Sequence, residues 1–216
     1  MIINFLNWID RKLRFTARHK DFLYRKIPEN IGYSYCFGGM AFIFYLILVL
    51  SGLMLTIYYV PSDTEAYKSV VMISEQNFIS RIIRNTHKIS ASLFIIAIIL
   101  HSLRVFIFRA YLPPRDLNWM TGVMAMLLAF ASGFTGYLLP WDQKAYWATE
   151  VGTNIFKSIP FIGDHIVITI RGGDNVSGIT LIRFYSAHVL FLPISISILL
   201  WAHFHMVKRL GISKKL

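Results

Sequence analysis

The chain has 216 residues, of which 56% are hydrophobic and only 15% are charged, whereas soluble domains usually carry about 25% charged residues. This composition argues against a soluble domain, and the single cysteine, Cys36, excludes an intrachain disulfide and a four-cysteine metal site. The net charge is +11, but the basic residues flank apolar runs, which indicates membrane orientation and contact with lipid headgroups rather than nucleic-acid binding.

The first predicted element is an amphipathic surface helix within residues 1–32. Its sequence, MIINFLNWIDRKLRF, mixes apolar and basic residues in a helical rhythm and lacks the uninterrupted apolar core of a secretory signal. We therefore expect this segment to lie on the membrane surface.

Four apolar segments follow, and each is longer than the roughly 20 residues that a helix needs to cross a bilayer. We call them span A (about 33–60), span B (about 80–108), span C (about 117–139) and span D (about 180–208). The centre of each span is free of charged residues. The sequence therefore predicts an all-α transmembrane four-helix bundle that forms a single domain over residues 1–216.

The distribution of Lys and Arg predicts the orientation of the bundle. Basic residues concentrate before span A, between spans B and C, and after span D, which places both termini on the negative, cytoplasmic or stromal, side. Spans B and D then both run from the positive to the negative side. The long loop between spans C and D lies on the positive side, where we expect it to form short surface helices broken at prolines and glycines.

Spans B and D each carry two histidines, and ionisable side chains inside a bilayer indicate a functional site. His87 and His101 are 14 residues apart, and His188 and His203 are 15 residues apart. On regular α-helices these steps rise about 21 and 22 Å with angular offsets of about 40° and 60°. Because the spans are parallel, His87 meets His188 and His101 meets His203, whereas His205 is rotated about 100° away.

Two facing imidazoles at each depth are suited to the two axial positions of a haem iron. The pattern therefore predicts two haems stacked across the membrane. The alternative is two unrelated pairs of hydrogen-bonded core histidines. A metal-ion site is less favourable, because no carboxylate lies near these layers.

Spans A and C supply glycines at the same spacing. Gly38 and Gly52 are 14 residues apart, as are Gly122 and Gly136. Antiparallel spans put Gly38 and Gly122 at the level of His101 and the other two at the level of His87, where they make room for a flat macrocycle. Glycines also let membrane helices pack closely without any ligand. The cations placed to pair with haem propionates are Arg84, Lys88, Arg183, Arg104 and Lys208.

Several motifs resemble those of the cytochrome b6 family, the N-terminal half of the split cytochrome b of b6f-type and bacterial menaquinol:cytochrome c reductase complexes. They are YCFGG, HKISASLFIIAIILHSLRVF, PPRDLNWMTG, GFTGYLLPWDQ, TLIRFYSAH and HFHMVKRLGIS. The resemblance covers the whole chain, and the 15-residue step in span D matches the b6 branch. It implies a subunit of a quinol:cytochrome c or plastocyanin oxidoreductase that carries electrons across the membrane in a Q-cycle coupled to proton translocation.

The resemblance also implies the cofactors: two haem b groups, a quinone or quinol, and a haem c, called cn or ci, joined to Cys36 by a thioether. From the residues alone, a lone cysteine at a helix start is usually an inert thiol. Lys208 stands where the family usually has arginine near the propionates of the extra haem, which keeps the charge but loses bidentate geometry. Some complexes of this kind also bind chlorophyll and carotenoid, and the sequence does not decide whether this one does.

For the quinone pockets, the resemblance points to Asp21 on the negative side and to Tyr137, Pro140, Trp141 and Asp142 on the positive side. The sequence has no PEWY motif, which in the family belongs to the other half of cytochrome b. The resemblance therefore implies a subunit IV-like partner, a Rieske iron-sulfur protein, a c-type cytochrome and a dimeric complex, in a bacterial cytoplasmic or thylakoid membrane.

Two other functions fit part of the pattern. A haem b membrane anchor of a dehydrogenase or hydrogenase also has four helices with bis-histidine haems, but it is not expected to carry the PWDQ sequence found here. A small transporter or membrane scaffold would use the histidines as proton relays and would hold no haem.

Overall fold

The structure, a computed structural model, describes residues 2–14, 16 and 32–211. Every regular element in these ranges is helical, which confirms the predicted all-α fold. Short 3-10 turns cover Tyr33–Cys36 and Ile155–Ser158, and a π-helical segment covers Ala187–Phe191. The α-helices are α1 (Ile2–Leu13), α2 (Phe37–Thr56), α3 (Ala66–Glu75), α4 (Phe78–Ile107), α5 (Asp116–Leu138), α6 (Gln143–Asn154), α7 (Gly163–Arg171), α8 (Gly178–Ser186) and α9 (Leu192–Leu210).

Within these ranges, four helical segments are long and apolar enough to cross a membrane, in agreement with the predicted four-helix bundle. Their outward faces expose large apolar side chains such as Leu50, Ile198 and Trp201, which is the pattern expected where lipid covers a helix. The largest difference from the expected bounds is the end of span A, expected near residue 60 and found at Thr56. The spans are Tyr33–Thr56 (A), Phe78–Ile107 (B), Asp116–Leu138 (C) and Gly178–Leu210 (D).

Residues from all four spans pack into a small apolar cluster at the centre of the bundle. Tyr45 of span A is 6% exposed, and its ring lies 5.9 Å from that of Phe94 in span B. The Tyr45 hydroxyl donates to the carbonyl of Pro193 at 2.7 Å and lies 2.7 Å from Ser197 Oγ. Because an unpaired hydroxyl is costly in an apolar interior, these two contacts fix span A against span D.

A second cluster joins the end of span C and the beginning of span D to α3, through Ala66, Leu138, Val176, Leu181 and Phe184. The loop between spans C and D adds α6 and α7, so it forms short helices as expected. Asp142 caps α6 by accepting a hydrogen bond from Ala145 N at 2.8 Å. At the other end of the loop, Gly172 terminates α7 with a φ of 83°.

Candidate functional site

The structure brings the four span histidines together in two pairs. The ring centroids of His87 and His188 are 6.2 Å apart, and those of His101 and His203 are 6.4 Å apart. Two imidazoles bound to opposite sides of one metal ion have ring centroids about 6.3 Å apart, because each metal–nitrogen bond is about 2 Å and each ring nitrogen lies about 1.1 Å from its centroid. Both pairs therefore have the spacing of axial ligands that share one iron.

Hydrogen bonds at Nδ1 orient three of these rings. The Nδ1 of His188 lies 2.8 Å from the carbonyl oxygen of Ser132, and that of His203 lies 3.1 Å from the carbonyl oxygen of Asn118. The Nδ1 of His87 lies 2.9 Å from the Oγ of Ser51, whose own hydrogen goes to the carbonyl of Ile47. Because carbonyls only accept and the Ser51 proton is already used, each Nδ1 carries the proton and donates. The Nε2 lone pair is left for a metal.

Each of the four glycines lies against a different histidine ring, at the level expected from its spacing. A Cβ built on Gly136 would stand 2.5 Å from Cε1 of His188, and one on Gly38 would stand 2.9 Å from Cε1 of His101. For Gly52 and Gly122, the corresponding distances to His87 and His203 are both 3.2 Å. The glycines thus make room for the imidazoles themselves, which the spacing argument did not foresee.

The 15-residue step in span D does not follow the regular α-helix assumed for the 60° offset. His188 lies in the π-helical segment Ala187–Phe191, where Leu192 N donates to the carbonyl of Ala187, five residues back. A π turn holds about one residue more than an α turn. Pro193 follows and has no N–H, so it cannot bond the carbonyl of residue 189. The π turn thus accommodates the extra residue of span D. The 15 residues from His188 to His203 therefore cover the same number of helical turns as the 14 residues from His87 to His101.

The pair of His101 and His203 opens into a cavity of about 330 Å³. Arg115 and Asn118, at the start of span C, line it and were not predicted as site residues. Arg115 Nη2 donates to the carbonyl of Leu210 at 3.2 Å, while Arg115 Nε and Asn118 Oδ1 are buried without a hydrogen-bond partner among the described residues. Buried polar atoms normally have partners, so this end of the cavity is suited to a polar ligand group.

Cys36 is an exposed free thiol at the end of the 3-10 turn that begins span A. Its neighbour Tyr35 lines the same cavity. The Arg104 guanidinium lies 3.6 Å from the centroid of the Tyr35 ring, one helical turn beyond His101. Cys36 therefore directly follows a residue that lines the cavity beside His101 and His203.

The other predicted cations are spread over the span ends. Arg84 is half-buried in span B, whereas Lys88 and Lys208 are exposed. Arg183 donates to the carbonyl of Thr169, which ties its guanidinium to α7. Asp21 lies outside the described residues.

The residues predicted for the positive-side pocket form the corner between span C and α6. Trp141 has a left-handed φ of 53° and packs against Tyr146 with ring centroids 6.2 Å apart. Beyond the end of span A, Tyr59 donates to the carbonyl of Leu139 at 2.7 Å. Burial, and to a smaller extent Tyr185, raises the pKa of Tyr59, so this phenol stays a donor. Tyr137 on the same corner is exposed.

His205 does not join either pair. Its ring lies 6.0 Å from that of Trp201, and both side chains are exposed on the outside of span D. His165 is exposed in α7.

Two layers of paired imidazoles inside a bundle of apolar spans are the arrangement typical of bis-histidine membrane cytochromes. Residues 22–211 match the protein family described as Cytochrome b/b6/petB, and the chain belongs to this family. The family resemblance of the motifs is thereby confirmed.

Relatives of similar length support the assignment. The chain is 40% identical over 221 residues to the menaquinol:cytochrome c reductase cytochrome b subunit of Bacillus subtilis (strain 168), covering 99% of both chains. It is 40% identical over 209 residues to cytochrome b6 of Cyanidium caldarium, covering 97% of both. Among solved structures, a chain of a hyperthermophilic respiratory Complex III superposes with a TM-score of 0.90 at 29% identity. That match covers 97% of this chain but 56% of the solved chain.

Family membership and the four apolar spans together make the chain an integral, multi-pass membrane protein. Membership of the cytochrome b family also implies that it binds haem b and quinone.

Proposed function

We propose that the chain is the di-haem cytochrome b subunit of a quinol:cytochrome c or plastocyanin oxidoreductase and carries electrons across the membrane. The observation that carries this proposal is the pair of imidazole separations, 6.2 and 6.4 Å, on two parallel spans. The names of the relatives support it, since they include both a menaquinol:cytochrome c reductase subunit and cytochrome b6.

The four histidines hold the two haems. His87 and His188 would hold the iron of the positive-side haem, and His101 and His203 that of the negative-side haem. A haem bound between each pair supplies a one-electron redox centre. The chain's own contribution is to keep Nδ1 of His87, His188 and His203 protonated and hydrogen-bonded, so that Nε2 faces the iron.

The cations at the span ends bind the propionates. On the negative side, the buried Nε of Arg115 lacks a partner and is suited to a propionate oxygen. Asn118 beside it contributes its amide, whose nitrogen and oxygen exchange places on a flip of the side chain. Arg104 and Lys208 complete the negative-side set. Arg84, Lys88 and Arg183 serve the positive-side haem.

Cys36 is the attachment point of a haem c. Its thiol is exposed and adjoins the negative-side cavity through Tyr35. Addition of the S–H across a haem vinyl group would give this thioether, in which the thiol hydrogen ends on the vinyl carbon and no oxidant is needed. This position places the additional group beside the His101 and His203 pair.

Quinone binds at both membrane faces. The positive-side quinol pocket uses Tyr137, Pro140, Trp141 and Asp142, and the negative-side pocket uses Asp21. These residues form half of each pocket. A subunit IV-like partner supplies the rest. This partner is supported by the match to the solved Complex III chain, of which this chain covers only 56%. A Rieske iron-sulfur protein, a c-type cytochrome and a second copy of the complex complete the assembly.

The membrane is the bacterial cytoplasmic or the thylakoid membrane, with both termini on the negative side. The excess of Lys and Arg at the negative-side loops supports this orientation. Mass analysis of the pigments and quinone in the purified complex decides the host type, because chlorophyll or carotenoid indicates a photosynthetic complex.

The test is quinol-dependent reduction of a c-type cytochrome by the purified complex. We expect activity in the wild type and in His205→Ala, and its loss in His188→Ala, because only His188 belongs to a pair. Wild-type activity in His188→Ala, or no quinol oxidation by the intact wild-type complex, would contradict the proposal.

A further inference from the structure

Arg171, at the end of α7, is a completely buried cation outside the membrane spans, with an exposed fraction of 0%. Its Nε donates to Thr153 Oγ1 at 2.7 Å. Its Nη1 donates to the carbonyl of Asp174 at 2.8 Å and lies 3.2 Å from a carboxylate oxygen of Glu150. Its Nη2 donates to the Glu150 carbonyl at 2.9 Å and to Asn154 Oδ1 at 3.0 Å. Four of the five N–H groups of the guanidinium therefore make hydrogen bonds, and Nη1 also forms an ion pair with the Glu150 carboxylate.

Such extensive pairing is informative, because a buried charge is strongly destabilising unless it is paired and hydrogen-bonded. Lysine in the same place would keep the charge but reach at most three acceptors from a single point. The four hydrogen-bond acceptors and the carboxylate around Arg171 are thus arranged for the planar fork of an arginine.

The acceptors connect two elements that are distant in sequence. Glu150, Thr153 and Asn154 belong to the last turn of α6, where a cation also offsets the partial negative charge of a helix end. The carbonyl of Arg171 itself accepts from Thr180 Oγ1 at 2.8 Å. Thr180 belongs to the capping box that starts span D. Arg171 therefore joins the end of α6 to the beginning of span D.

The other end of α6 carries the positive-side corner. Asp142, whose side chain caps α6, directly follows Pro140 and Trp141. Near its last turn α6 packs tightly on span C, since a Cβ on Gly152 would meet the ring of Phe134 at 2.6 Å. A helix fixed at one end by Arg171 and packed on span C has little freedom to move the corner at its other end.

We propose that Arg171 is a positioning residue of the quinol-oxidation pocket. Its fork sets the place of α6, and thereby of the corner from Tyr137 to Gln143, relative to the segment of span D that carries His188. The inference rests on the proposed function, because it assigns a task to a residue that touches neither quinol nor haem. It concerns the positive side alone, since the negative-side cavity is lined by other residues.

The experiment uses the full complex with Arg171→Lys and the milder Thr153→Val. The second variant removes the acceptor of Nε together with the hydrogen bond that the Thr153 hydroxyl donates within α6 to the Thr149 carbonyl. A hydrogen bond to a charged group contributes about 1.5–3 kcal/mol, or roughly tenfold or more in an equilibrium. We expect the KM for quinol to rise about tenfold in Arg171→Lys and less in Thr153→Val, with a smaller change in kcat. We also expect the spectrum of the positive-side haem to shift while that of the negative-side haem stays unchanged. Lys157→Gln, at an exposed cation of the same loop, is the matched control and should behave as the wild type.

Three results would overturn the inference. One is a wild-type KM in both variants when both haems are retained. Another is equal loss of both haems in both variants, because Arg171 would then serve general folding only. The third is a wild-type complex that does not oxidise quinol, which overturns the proposed function as well and is thereby distinguished from the first two.

Discussion

Gly136 of span C lies directly against the imidazole of His188, so that a methyl group at its Cα would stand 2.5 Å from Cε1. Real Cβ atoms do not approach a ring this closely. The His188 ring has little room to withdraw, because its Nδ1 is hydrogen-bonded to the Ser132 carbonyl. The histidine and the glycine form one unit. A side chain at position 136 would therefore displace the His188 imidazole.

Gly136→Ala should displace the His188 ring and weaken haem binding on the positive side, because overpacking a filled site costs about 1–3 kcal/mol. The measurement is the haem content and the reduced-minus-oxidised spectrum of the purified chain. Gly133→Ala is the matched control in the same helix, since nothing lies within 4 Å of a Cβ there. Equal haem content in the two variants would show that the contact with His188 is unimportant.

The π-helical segment predicts where span D tolerates the deletion of one residue. Deleting Leu190, which is exposed within that segment, should convert the π turn into an α turn and leave both histidine pairs in register. Deleting Ile198, exposed in the regular part of the same span, should rotate His203 by about 100°. We expect two haems per chain in the first variant and one in the second, measured as pyridine haemochrome. Loss of a haem in both variants would contradict this account of the 15-residue step.

The sequence was sufficient to predict the four spans and the pairing of their histidines by depth, because hydropathy and a fixed rise per residue determine both. It was not sufficient for the local path of span D. A π turn depends on which carbonyl each N–H reaches, and the only sequence signal for it is Pro193, whose missing N–H frees a carbonyl one turn earlier.

Charged residues were harder to interpret from the sequence. Arg115 and Arg171 stand in segments where lysine and arginine usually face water or lipid headgroups. The sequence does not predict the burial of Arg171, because the oxygen atoms that surround it belong to residues between 150 and 174 that come together only in the folded chain. The spacing predicted correctly which histidine pair each glycine lies beside. It did not show that the imidazoles themselves occupy the space next to the glycines.

Arg115→Gln should lower the midpoint potential of the negative-side haem. The reduced haem has one negative charge more than the oxidised form, so removing a nearby, partly buried cation destabilises the reduced form, by tens of millivolts at the effective dielectric of protein sites. A redox titration followed at the haem absorption band measures the shift. Arg109→Gln, at an exposed cation of the same short loop, should leave the potential unchanged. An unshifted potential in Arg115→Gln would show that Arg115 is not near the haem propionates.

Cys36→Ala should abolish covalent haem while both b haems stay bound, because Cys36 is absent from the two histidine pairs. Haem staining after denaturing electrophoresis measures this directly, since only a thioether-linked haem remains with the unfolded chain. A stained band at the mass of the wild-type chain, lost in Cys36→Ala, is the expected result. A wild-type chain without the stain would contradict the proposed attachment.

The central claim is that each of the two histidine pairs holds one haem. It is tested most directly by the reduced-minus-oxidised difference spectrum and haem quantification of the purified protein, compared between the wild type and His87→Ala. We predict two low-spin b-type haems in the wild type and loss of the positive-side haem alone in the variant. Absence of a b-type α band in the wild type, or two intact b haems in His87→Ala, would contradict the claim.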